Sequence, residues 1–238
     1  MKKITIWLFA LFAFTQVNAQ LWTINSCSNL GTTTYGPMYS QATANSNNRT
    51  AVIYPASQLS TLNGQTLNSM YFQRSSTTGT MAGTPNFKIY LKEVTATDWG
   101  ATAIDWVAET TGATLVYDSN PASAVGTDAG WKSFPFATNF IYNGTQNLAV
   151  FFEYSNTTTS SSISWNYEYT SPCADTSNNN TTKYNNNTTG TLSASLASSN
   201  YRRPLIGFDF VVSCNAPNSL ITSNLGTTSV DVAWTENA

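Results

Sequence analysis

The sequence predicts an all-β protein whose main body is a jelly-roll-like β-sandwich. Three observations carry that expectation. Apolar and aromatic residues alternate with polar ones over short runs, and no 3.6-residue period is sustained. Asn-Gly pairs and Ser/Thr/Gly clusters separate the runs and read as turns. Roughly eight strands over about 190 residues, with long excursions between some of them, suit a jelly roll better than an immunoglobulin-size domain.

The elements follow in order. Met1-Lys2-Lys3 is a basic start, Ile4 to Phe14 an apolar run too short to span a bilayer comfortably, and Val17-Asn18-Ala19 a cleavage site. Residues 1–19 therefore read as a secretory signal peptide. The mature chain is expected outside the cell, secreted or at the surface, with no membrane insertion after cleavage. From Gln20 to about Asn48 one short strand and loops are expected. Thr50–Ala56 and Leu67–Gln73 read as strands. Phe87, Ile89 and Leu91 alternate with Lys88, Tyr90 and Lys92, a half-buried strand. Thr97–Glu109 is a long excursion, and Ala113–Tyr117 a strand with Leu115 and Tyr117 on one side.

The run Gly130–Tyr154 holds two aromatic-rich segments around Asn143-Gly144, which reads as a hairpin. Leu148, Val150, Phe152 and Tyr154 share one face, and a strand this apolar belongs mid-sheet. Ile163, Trp165, Tyr167 and Tyr169 share a face of the next strand. Cys173–Gly190 is Asn/Thr-rich and reads as a loop, with room for a short strand around Lys183-Tyr184. Arg203–Val212 closes the first domain, residues 20–212.

Composition narrows the function. Of 238 residues only 9% are charged, against about 25% in ordinary soluble domains. The net charge is −2 and no Lys/Arg run exists, so nucleic acid is not an expected partner. The chain has no His, which excludes Ser-His-Asp and Cys-His catalysis and His-ligated zinc. Paired carboxylates are the remaining catalytic option. Glu153 and Glu168 fall on consecutive predicted strands, but both read as ordinary strand residues. No catalytic residue is assigned, and no cofactor is expected beyond a structural Ca²⁺. For that ion Asp118, Asp128 and Asp209 are weak candidates, since no Asp-x-Asp-x-Asp-Gly loop occurs. Trp99, Trp106, Trp131, Trp165, Tyr167 and Tyr169 could form a sugar-stacking platform. Of these, Trp99 and Trp106 lie in the long excursion and are the expected exposed, ligand-binding pair; the others read as core.

After Cys214-Asn-Ala-Pro217 comes a short strand through Leu220 and a turn. Val230-Asp-Val232-Ala-Trp234 then follows. This resembles the first two strands of a fibronectin type III domain. Only residues 213–238 are present, so the chain is expected to be a fragment of a longer protein. Gly31-Thr-Thr-Thr-Tyr-Gly-Pro37, Leu115-Val-Tyr117, Gly130-Trp131, Tyr142-Asn-Gly144, Asn147-Leu-Ala-Val150 and Arg203-Pro204 resemble the N-terminal jelly-roll module of Bacteroidetes-type secreted multidomain proteins. Such proteins often continue with fibronectin type III repeats. Modules of that kind can pair a starting Cys with one on a later strand. That leaves Cys27 and Cys173 to pair in the first domain; the alternative is that Cys214 pairs with one of them. The resemblance implies a non-catalytic extracellular module for adhesion or ligand binding, to glycan or protein. The alternative is an accessory domain of a secreted hydrolase, peptidase or glycosidase, whose catalytic domain lies beyond this sequence.

Overall fold

The computed structural model describes residues 20–24, 30–211, 218–223 and 231–235. The signal-peptide segment, Cys27 and Cys214 lie outside the described residues. The chain divides into two compact units. Ala19–Val211 is one, and the residues from Val212 onward fall in the other.

Along the first unit the strands are β1 (Gln20–Thr23), β2 (Leu30–Thr33), β3 (Ser46–Tyr54), β4 (Gln65–Arg74), β5 (Asn86–Val94) and β6 (Ile104–Asp105). A short helix α1 (Trp106–Thr110) leads to β7 (Thr114–Ser119), and α2 (Ala122–Val125) leads to β8 (Gly130–Tyr142). Then come β9 (Asn147–Asn156), β10 (Trp165–Glu168), β11 (Thr182–Asn187) and β12 (Ser195–Leu196). Strands β13 (Ser198–Asn200), β14 (Arg203–Pro204) and β15 (Ile206–Phe210) complete the unit. In the second unit, β16 (Asn218–Ser223) pairs antiparallel with β17 (Asp231–Thr235).

The expectation of an all-β fold in antiparallel sheets holds. One sheet runs β1–β15–β4–β10–β14, with β8 also pairing to β4 and β2 to β10. The other runs β13–β11–β3–β9–β5–β7. The inner faces of the two sheets meet in one aromatic core. Phe72 of β4 lies within 5.2–6.4 Å, ring to ring, of Phe87, Phe134, Phe152 and Trp165. Most of these contacts are edge-to-face, the arrangement that the ring quadrupole favours. As predicted, Phe87, Ile89 and Leu91 are fully buried on one face of β5.

Strand β9 is the centre of the second sheet. It pairs with β3 along one edge and β5 along the other. Leu148, Val150, Phe152 and Tyr154 enter the inter-sheet core, while Ala149 and Phe151 enter a second cluster on the outer face. That outer cluster is roofed by the excursion after β5 and by β12. Ile104, Trp106 and Leu196 are buried in it, with Trp99 and Tyr90 packed at its edge.

Two local expectations are corrected. The Asn143-Gly144 turn does not make a hairpin. Strand β8 pairs with β4 in one sheet and β9 sits in the other, because both edges of β9 are already taken. Gly144 still supplies the positive φ (74°) that the turn requires. In β7, a register shift opposite Ile89/Tyr90 puts both Val116 and Tyr117 inside, leaving Leu115 exposed. Strict alternation therefore misplaced Leu115.

The Asn/Thr-rich stretch is ordered. Its side chains close turns on their own backbone: Asp175 Oδ1 accepts from Ser177 N at 3.1 Å, Asn178 Oδ1 from Asn180 N at 2.9 Å, and Asn187 Oδ1 from Thr189 N at 3.1 Å. Between these turns β11 adds to the edge of β3 over six aligned pairs, Thr182↔Val52 to Asn187↔Asn47.

Phe72→Ala removes a ring packed against four others. It is expected to cost about 3–5 kcal/mol. Exposed Ile141→Ala should change stability by no more than about 0.5 kcal/mol. Urea unfolding midpoints of the two variants check this, and equal midpoints would contradict the core described here.

Candidate functional site

The residues singled out in the sequence do not gather. Trp106 is 4% exposed. Its ring lies edge-on to Phe151 (5.8 Å) and Tyr90 (6.1 Å), with the Arg49 guanidinium over it at 5.0 Å. Trp99 is half-buried against Phe151, and its indole N–H donates to Ala51 O at 3.1 Å. The expected exposure of this pair is corrected: the outer face of β9 is too apolar to leave in water, and these two rings cover it.

The three candidate Ca²⁺ ligands sit apart. Asp118, on β7, accepts from Asn86 Nδ2 at 2.9 Å. Asp128 precedes β8, exposed, and its charge acts on Arg74. Asp209, on β15, is buried and accepts from the Tyr71 hydroxyl at 2.5 Å. Among the described residues no three of His, Cys, Asp and Glu cluster as a metal site. Cys173 is disulfide-bonded rather than a free thiol. Cys27 and Cys214 lie outside the described residues, so the pairing stays an expectation.

Glu153 and Glu168 are also separated, since β9 and β10 belong to different sheets. Glu153 is held by Arg49 (2.6 Å) and Lys88 (3.2 Å), directly across the ladder on either side. Glu168 is fully buried. Among the described residues its carboxylate accepts no hydrogen bond, and Arg203 stands 4.0 Å away. Burial outweighs that neighbour and pushes the Glu168 carboxyl up to about 7.

A cleft lies elsewhere, at one flank of the sandwich, with a volume of about 330 Å³. Strands β2 and β10 of one sheet line it, and β3 and β11 of the other. The inner face of the second sheet changes character here. Across the β3–β11 ladder Val52 faces Thr182 and Thr50 faces Tyr184, so the apolar core gives way to hydroxyls and a phenol. Opposite them stand Thr33 and Tyr167. The β10 face that buries Trp165 completely, in line with buried Ile163 just before the strand, thus continues into the cleft as Tyr167. Tyr167 packs against Tyr169 at 5.8 Å and beneath the Arg202 guanidinium at 5.3 Å.

The seat of Tyr167 depends on Gly31, its partner across the β2–β10 ladder. A Cβ at that position would collide with the phenol ring. At the mouth, Tyr35 is 58% exposed and stacked on Tyr39 at 5.5 Å. Their loop is pinned by buried Asn48, which accepts from Tyr39 N (2.8 Å) and donates to Pro37 O (3.0 Å). Asn186, Asn200 and Arg202 complete the polar lining. Among the described residues, neither the amide nitrogen nor the amide oxygen of Asn186 has a hydrogen-bond partner, although both atoms are buried. Such groups cost about 1–3 kcal/mol each when left unmade.

Of these residues the sequence named Tyr167, as a platform candidate read as core, and it pointed to the stretch Cys173–Gly190 as a whole, which holds Thr182, Tyr184 and Asn186. Tyr184 and Asn186 lay in a stretch read as low complexity; the period-2 set Thr182, Tyr184, Asn186 was the available signal. Tyr35 and Arg202 carried none.

Glu168 gives the site's surroundings a pH signature. Its proton is held in the folded state up to about 7, while the unfolded chain loses it near the ordinary 4.5. Between these values the folded state binds more protons, so stability falls as pH rises and levels off above 7. The loss is on the order of 3 kcal/mol. Melting temperatures should drop from pH 5 to pH 8, and Glu168→Gln should flatten that dependence. Parallel profiles for the two proteins would contradict it.

No protein-family model, no curated protein and no solved structure matches the chain.

Proposed function

We propose that the first unit is a non-catalytic extracellular module that binds glycan in the flank cleft. The observation that carries this reading is the lining itself: phenol rings beside amides and hydroxyls, with no carboxylate, thiol or imidazole among the described residues. Pyranose rings present apolar C–H faces and a rim of hydroxyls. Tyr167 and Tyr184 suit the faces, and the partnerless Asn186 amide, both donor and acceptor, suits the rim. The volume is at the low end of the ~300–1,000 Å³ usual for small-ligand sites, which suits one or two sugar units. Hydrolysis would need a pair of acids flanking the bond, and the described residues of the lining include none.

The fold reading goes with it. The strands from β2 to β10, leaving aside the short β6, pair as β2–β10–β4–β8 and β3–β9–β5–β7. This nesting supports a jelly roll, an architecture that lectin domains use. The basic and apolar start of the sequence supports export. The β16–β17 ladder is compatible with the opening strands of a fibronectin type III module. A disulfide from Cys173 to Cys27, or to Cys214 in the alternative pairing, would accord with an oxidising compartment.

A glycan array followed by titration calorimetry tests the binding. Tyr184→Ala should weaken the best ligand by about tenfold or more, about 1.4 kcal/mol. Gly31→Ala should do the same with little loss of stability, because the collision is with the movable end of a side chain. Absence of binding to any glycan would overturn the reading.

A further inference from the structure

We infer that the cleft selects an acidic sugar, with Arg202 as the group that recognises the carboxylate. This rests on the glycan reading above and names the ligand class within it. Among the described residues that line the cleft, Arg202 alone is charged. In a chain with 9% charged residues, a lone cation at a neutral cleft sets its local field.

The other arginines are all engaged. Arg49 is paired with Glu153 at 2.6 Å. Arg74 is buried among carbonyls, including Ser76 O at 2.8 Å and Thr78 O at 2.9 Å. Arg203 stands beside Glu168 and donates to Ile53 O and Cys173 O. Arg202 makes no ion pair among the described residues and is exposed at the rim.

Its backbone is fixed. Arg202 N donates to Asn200 Oδ1 at 3.0 Å, and Arg202 O accepts from Thr182 Oγ1 at 2.8 Å. Its guanidinium lies over the Tyr167 ring at 5.3 Å and the Tyr201 ring at 6.0 Å. The two rings hold the guanidinium in place, and among the described residues no hydrogen bond takes its N–H groups, which leaves them for another group. Their fork matches a carboxylate bidentately. A hexuronate ring in the cleft would place its hydroxyls toward Asn186 and its carboxylate toward Arg202. Glu168, next to Tyr167 in sequence, is buried beside Arg203 and does not line the cleft, and Asp209, the acid nearest Arg202 in sequence, accepts from Tyr71 instead.

The test uses the full chain and matched probes: oligogalacturonate against the corresponding neutral galactan, each titrated into wild type, Arg202→Gln and Arg202→Lys. Wild type should prefer the uronate by about tenfold or more, and Arg202→Gln should abolish that preference by weakening the uronate about tenfold more than it weakens the neutral sugar. Arg202→Lys should retain only part of it, since an ammonium lacks the fork. Uronate affinity should also fall as salt is raised. Equal binding of both probes, or an Arg202→Gln variant that keeps the preference, overturns the inference and leaves the glycan reading standing. If neither probe nor any other glycan binds, both fail together.

Discussion

Strand β9 constrains everything around it. Every residue from Leu148 to Tyr154 is buried, and both edges are hydrogen-bonded over their length. A strand of this kind needs a neighbour on four sides. Strands β3 and β5 supply the edges and the facing sheet supplies one cover. The fourth side explains the least regular part of the chain. The excursion after β5 carries Ile104 and Trp106, and Leu196 joins from β12, because Ala149 and Phe151 on the outer face require a roof. The two tryptophans of this excursion, Trp99 and Trp106, are here packing residues.

The same constraint settles the connection before β9. An Asn-Gly turn between apolar runs is a strong hairpin signal when one edge of the second strand is free. Here neither edge is free, so the turn carries the chain across from one sheet to the other. The turn was legible in Asn143 and Gly144. Its consequence was not, because edge occupancy is decided by β3 and β5, which end at Tyr54 and Val94, far upstream of the turn.

What the sequence made legible follows from this. Alternation in Phe87–Leu91 and in Ile163–Tyr169 reflects one face toward a core, and period 2 reads it directly. Leu115 was misread because a bulge breaks the period. The cleft was legible only in half. Tyr167 was visible as part of an aromatic strand face, but core and cleft look alike along a single strand. The difference lies in what the opposite sheet places there. Where β4, β5, β8 and β9 face one another, the partners are Phe and Leu. Where β10 faces β3 and β11, they are Thr50, Thr182 and Tyr184. Thr182 and Tyr184 came from a stretch whose composition argued for a loop, and its Asx turns, which order β11, are long in effect and short in sequence.

The cleft is therefore a product of the sandwich rather than an addition to it. A sheet pair closes where both inner faces are apolar, since closure removes that surface from water. At β11 the inner face carries a phenol, an amide and hydroxyls, for which closure would leave donors and acceptors unmade. The flank stays open, and the groups that keep it open are the ones a hydroxyl-rich ligand would satisfy. The walls are held independently of any ligand. Gly31 seats Tyr167, Asn48 pins the loop of Tyr35, and fully buried Lys183 anchors β11 through Ser199 Oγ at 2.6 Å. Rings fixed in advance lose little freedom on binding, so a site of this size can spend most of its contact energy on the ligand.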